Sequence, residues 1–215
     1  MVQRGPKQFF QERLDVARGL LECDALPVTY EDVALIACAV ISACAAQRWP
    51  GKGIDKCRFL ELLVKHTDPS FRTSWVSLPA LLNEGIIDYS ETPYRFRQST
   101  SIFCSDDIDL EFDDAQKKYP DLNISELQSC CYASLIYGRL RCGYMHTYLS
   151  GEDITTVSAS MRPAQVSYIG RGSEMRRMIH FHLDYIIRLA QHHVSILPAA
   201  AQPSPTTWWS KAGDV

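Results

Sequence analysis

Residues 33–46 are almost unbroken in small and apolar side chains: Val33, Ala34, Leu35, Ile36, Ala37, Ala39, Val40, Ile41 and Ala43, with Cys38, Ser42 and Cys44 between them. A helix of this composition has no face to give to water, so other elements must wrap it. Thr29 ahead of Glu31 and Asp32 is a helix-start pattern: the hydroxyl accepts from a first-turn N–H, and the acids favour the positive end of the helix dipole. The segment therefore predicts a central helix running to about Arg48, ended by the turn Trp49-Pro50-Gly51-Lys52-Gly53. A mainly α-helical, single-domain protein is the expectation, with residues 1–197 as the domain and 198–215, rich in Ala, Pro, Ser and Thr, as a flexible tail.

Other segments fill in the bundle. Gln8 to Leu21 has apolar residues at helical spacing, and Pro27 breaks the chain after it. Asp55 to His66 reads as a third helix. Thr73 or Ser74 is placed to cap a further one through Leu82, interrupted by Pro79. Residues 88–108 read as an irregular connection, and the acidic stretch 105–121 as a short helix or an exposed loop. Asn123 or Ser125 begins a helix to about Leu149, weakened locally by Gly138 and Gly143. Ile154–Ser160 and Gln165–Ile169 are β-like runs around Met161-Arg162-Pro163, predicting a small hairpin before a last helix from Ser173 and Glu174 to about Leu197.

Composition narrows the function classes. No stretch reaches the roughly 18 apolar residues of a membrane span, and the first residues lack the apolar core of a signal peptide, so a cytoplasmic location is the expectation. Eight cysteines form no C-x-x-C pair, which points to buried reduced thiols rather than structural zinc. His180-x-His182 and His192-His193 lack carboxylates at helical spacing, so no metal site is predicted. The net charge of −3 argues against a generally basic nucleic-acid surface. Arginines gather late in the chain, however (Arg139, Arg141, Arg162, Arg171, Arg176, Arg177 and Arg188), which makes any RNA contact local. Trp208-Trp209 reads as part of the disordered tail, with docking of this aromatic pair on a partner as the lesser alternative.

The chemistry-bearing segment is Arg141-Cys-Gly-Tyr-Met-His146-Thr-Tyr148. Histidine is the side chain suited to move protons near neutral pH, and arginine the one that grips phosphate through a bidentate fork. Arg141 and His146 stand five residues apart, about 140° around an undistorted helix, so a bend near Gly143 or a second subunit is needed to bring them together. Arg139, seven residues before His146, shares its face. Arg177 to His182 and Arg188 to His193 repeat the bare spacing and read as helix-face residues.

On Arg141, His146 and Tyr148 the chain resembles the HEPN superfamily of helical domains, whose motif is Arg, four to six residues, then His. A subset in toxin–antitoxin pairs carries Arg-x4-His-x-Tyr. Cys142 stands where many members have Asn. The resemblance implies a HEPN-like bundle and a metal-independent endoribonuclease without cofactor, acting as a toxin or antiviral-defence effector. It implies a homodimer whose subunits share one cleft. Arg141 would hold the scissile phosphate, His146 would serve as general acid or base for attack by the ribose 2′-hydroxyl, and Arg139 and Tyr148 would contact RNA. Tyr148 would also be the residue that a nucleotidyltransferase antitoxin modifies. The alternative is a non-catalytic HEPN-like module that binds RNA or protein.

Overall fold

The computed structural model describes residues 5–22, 28–92, 103–104, 108–147, 154–157, 165–170 and 176–203. It is mainly helical, with a small sheet whose antiparallel hairpin immediately precedes the last helix. Helix α1 spans Pro6–Leu21, α2 Tyr30–Arg48 and α3 Asp55–Lys65. Thr29 caps α2 in a reciprocal box, its hydroxyl accepting from the Asp32 N–H while the Asp32 carboxylate accepts from the Thr29 N–H.

Helix α2 is the hub, packing on α1, α3 and the last helix. By length and composition alone it could cross a membrane, a correction to the sequence expectation. In the fold, Val33, Ala34, Ala37, Cys38, Val40, Ile41, Cys44 and Ala45 are buried inside the bundle. Its small residues let neighbours approach closely, and Leu14 and Ala17 of α1 are completely buried.

The chain then departs from the predicted pattern. Helix α4 is Leu78–Asn83, capped by Ser77 rather than by Thr73 or Ser74. Pro79 sits in its first turn, where no N–H is needed, and does not interrupt it. After a turn at Thr73-Ser74, residues 75–77 run extended: Val76 bridges Leu110 and Cys131, and the Ala133 N–H donates to the Thr73 carbonyl. These bonds compete with helix continuation at Cys130-Cys131. The predicted helix from 123 to 149 is therefore broken into α6 (Ile124–Ser129), α7 (Tyr132–Leu135), a π-helical turn (Ile136–Arg141) and α8 (Cys142–Thr147). Short α5, Phe112–Lys118, carries Asp113 and Asp114 of the acidic stretch.

Strands β1 (Phe103–Cys104), β2 (Ile154–Val157), β3 (Val166–Gly170) and β4 (Arg177–His182) form a sheet in the order β1-β3-β4-β2. The hairpin is β3–β4, and β2 pairs parallel to β4. The expected pairing of the run at 154 with the run at 165 is thus corrected. The last helix, α9, begins only at Leu183 and ends at Ser195. Residues 177–182, expected as its first turns, are strand, because the central sheet position offers them bonds on both sides. Alternation then buries Ile179 and Phe181 against the core. Ser173, Glu174, Tyr148 and Trp208-Trp209 lie outside the described residues. The start of the predicted tail is tied down, since the Gln202 N–H donates to the Arg48 carbonyl at 2.8 Å.

Candidate functional site

Arg141 is the last residue of the π turn. A π turn inserts an extra residue into the helical ladder and re-aims the side chains beyond it, and such turns recur at functional sites. The Arg141 side chain is half-buried and turned toward α2. Its guanidinium lies over the Tyr137 ring, 5.3 Å from the centroid, its Nε–H donates to Ser42 Oγ at 3.4 Å, and its Nη1 reaches Cys142 Sγ at 3.6 Å. The Ser42 hydroxyl itself donates to the Cys38 carbonyl, so it is free to accept from the guanidinium. Burial pushes the Cys38 thiol up to about 12, with Arg141 pulling it back and Cys142 adding to the rise. Cys142 thus supplies a sulfur contact to Arg141.

His146 is exposed on α8, next to exposed Met145. Five positions apart along the helical path, Arg141 and His146 point in different directions, and no contact joins them. Arg139 forms an ion pair with Glu84 at the end of α4, so its guanidinium carries a protein partner already. The two decoys resolve differently. Arg177 and His182 sit at the ends of β4, both buried, rather than on a helix face. Arg188 pairs with Asp184 at 2.9 Å, while His193 is buried against Thr67 at 3.0 Å.

Three polar features are not visible in the sequence. Asp109, one of the acids of the stretch 105–121, is buried: its Oδ2 accepts from the hydroxyls of Tyr132 and Tyr168, and its Oδ1 from the Leu78 N–H at 3.1 Å. Since Tyr168 donates to Asp109, Ser77 Oγ donates to Tyr168, 3.1 Å away, while accepting from the Ala80 N–H. Burial and the adjacent Asp109 raise the Tyr168 pKa well above the ordinary phenol value. The one signal in the chain is the pair of apolar flanks, Ile108 and Leu110.

A cavity of about 370 Å³ opens where α3, the turn after it and α5 meet, with Arg72, Trp75, Glu111 and Asp113 in its wall. Arg72 adopts left-handed backbone (φ 54°, ψ 29°) and stacks on Trp75, 4.3 Å from the ring centroid. Such a conformation is uncommon for a residue with a Cβ. The third feature is the contact of His182 Nε2 with Ser167 Oγ at 3.0 Å. Among the described residues, no group of three or more His, Cys, Asp or Glu side chains is arranged to hold a metal ion.

Comparisons of the chain with family models, with curated proteins and with solved structures found no match.

Proposed function

We propose that this protein is a metal-independent endoribonuclease with a HEPN-like site, acting as a toxin or defence effector. The observation that supports this most is the Arg141 guanidinium, braced by Tyr137 and Ser42 at a π turn, with exposed His146 on the next helical segment. A braced, half-buried guanidinium is pre-oriented for a phosphate and loses little freedom on binding one.

In this reading His146 takes the proton from a ribose 2′-hydroxyl as the oxygen attacks phosphorus. The 5′-oxygen leaves with a proton returned by the acid form, and Arg141 offsets the charge developing on the phosphoryl oxygens. Because one chain aims the two side chains apart, a second copy completes the cleft. Tyr148 contacts RNA and is the residue a partner nucleotidyltransferase would modify. DNA, lacking the 2′-hydroxyl, is not cut.

One observation favours a second reading, a module that binds RNA or protein without cleaving. Arg139 and Arg141 both spend donors on protein groups, Glu84 and Ser42. Incubation of folded protein with mixed RNA in EDTA separates the two. Cleavage by wild type, lost in Arg141→Ala and His146→Ala, supports the nuclease. Binding without cleavage by protein unmodified at Tyr148 supports the module.

A further inference from the structure

Val76 and Leu110 exchange both backbone hydrogen bonds, at 2.8 and 3.3 Å, in an antiparallel bridge. One step along that register Trp75 stands opposite Glu111, and directly opposed side chains share one face with Cβ atoms within about 5.5 Å. The step on the other side of the bridge behaves the same way: Ser77 and Asp109 both meet the Tyr168 hydroxyl. Trp75 and Glu111 together line the cavity of about 370 Å³ between α3 and α5. That volume lies within the range of small-molecule sites, roughly 300–1,000 Å³.

The polar groups of the cavity sort by what they already hold. The Thr67 and Thr73 hydroxyls donate to the Leu62 and Leu63 carbonyls. Arg72 lies on the Trp75 ring, 4.3 Å from its centroid, and steadies the indole as a platform. The carboxylates of Glu111 and Asp113 and the hydroxyl of Ser74 have no hydrogen-bond or ion-pair partner among the described residues. Lys117 feels both carboxylates, but its amine is bonded to Asp114 at 3.0 Å. An ionised carboxylate only accepts. The ligand that fits is flat, to lie on the indole, and carries two donors side by side, to meet both oxygens of one carboxylate. Among nucleobases, guanine has that edge, its ring N1–H adjacent to its 2-amino group. Adenine and cytosine set an acceptor beside their amino group, which a carboxylate repels. A guanidinium offers the same two donors, but its charge would meet that of Arg72 at the same ring.

We propose that this cavity takes a guanine base, stacked against the Arg72–Trp75 pair, with N1–H and the 2-amino group donating to Glu111. Asp113 and Ser74 are left to accept from the ribose hydroxyls. The base belongs either to a free guanine nucleotide or to an unpaired guanosine of RNA, two sources that share this chemistry. None of Arg139, Arg141, His146 or Tyr148 takes part, so guanine binding and RNA cleavage can fail separately.

Isothermal titration calorimetry of the full chain with guanosine, inosine and adenosine 5′-monophosphates tests this. One guanosine monophosphate is expected to bind per chain. Inosine monophosphate, which lacks the 2-amino group, should bind about 10-fold more weakly, and adenosine monophosphate about 100-fold more weakly. Glu111→Gln, at an exposed position whose side chain caps nothing, should cost guanosine monophosphate about 10-fold. Trp75→Leu should cost about 10- to 100-fold, while Trp75→Phe keeps most of the affinity. Short oligouridylates carrying one guanosine or one adenosine, given to His146→Ala protein so that nothing is cut, separate the two sources. Guanosine-dependent binding tighter than that of the mononucleotide assigns the site to RNA, and equal or weaker binding assigns it to the free nucleotide. Failure of folded wild type to bind either guanosine monophosphate or the guanosine-containing RNA would overturn the proposal. So would equal affinity for guanosine and adenosine monophosphates, a guanine preference that survives in folded Glu111→Gln, or binding of agmatine in place of the nucleotide.

Discussion

Tyr168 of β3 donates its hydroxyl proton to the Asp109 carboxylate, joining the sheet to the loop before α5 in the middle of the core. Tyr132, the first residue of α7, donates to the same oxygen, and the Leu78 N–H at the start of α4 holds the other. One carboxylate thus pins three segments distant in sequence, and both of its oxygens have donors.

Replacing Tyr168 by Phe removes one donor and strands the Ser77 hydroxyl, at a cost of about 1–3 kcal/mol. Asp109→Ala strands two phenols and an amide and should cost about 3 kcal/mol or more. Urea unfolding reads both. A Tyr168→Phe protein as stable as wild type would show that the carboxylate is not a fold pin.

Stability should fall in mild acid because of His193. Its Nε2–H donates to Thr67 Oγ, which passes its own proton to the Leu62 carbonyl. Burial, followed by His192, Arg48 and His66 facing it, pushes its pKa down to about 3. The unfolded value is about 6.5, so the neutral ring's contribution is complete above that pH and is lost as pH drops toward 3, on the order of 1 kcal/mol per pH unit. His193→Gln should flatten the stability profile between about pH 6 and 4. His180 and His182, also lowered by burial, remain in both proteins and cancel in the difference. An unchanged slope would contradict the assignment.

Thiol labelling should track burial. Cys38 and Cys44 are pushed up to about 12 and Cys130 to about 11, all by loss of water around the thiolate, and Cys131 is completely buried. Half-exposed Cys142, beside the Arg141 guanidinium, is open to reagent. Iodoacetamide mapped by mass spectrometry should modify Cys142 well before these four; comparable rates would mean that the bundle opens readily.

The legible part of the chain is written in local patterns. The Thr29 box, the apolar run of α2 and the periodicity of α1 and α3 each specify their own structure, and tertiary packing agrees with them. The illegible part depends on partners far away. Residues 177–182 carry enough helix-compatible side chains to extend α9, and only pairing with β2 and β3 makes them a strand. The break at Cys130-Cys131 comes from the turn and short extended segment at 73–77, whose backbone takes the bonds a helix would need. Asp109 looks like one acid among many, because two tyrosines 23 and 59 residues away decide its burial. For the candidate site, spacing alone already puts Arg141 and His146 on different faces. The contacts of Arg141 with Ser42 and of Arg139 with Glu84 are not readable from it.

The most direct measurement is of the ends left on RNA. A short RNA and a copy with a single 2′-deoxy substitution at the cut position are incubated in EDTA with protein shown by mass spectrometry to be unmodified at Tyr148. The expected result is cleavage of the first into a fragment ending in a 2′,3′-cyclic phosphate, resistance of the second, and no cleavage of either by His146→Ala. Intact RNA with folded wild-type protein, or cleavage that survives the loss of His146, would contradict the nuclease assignment.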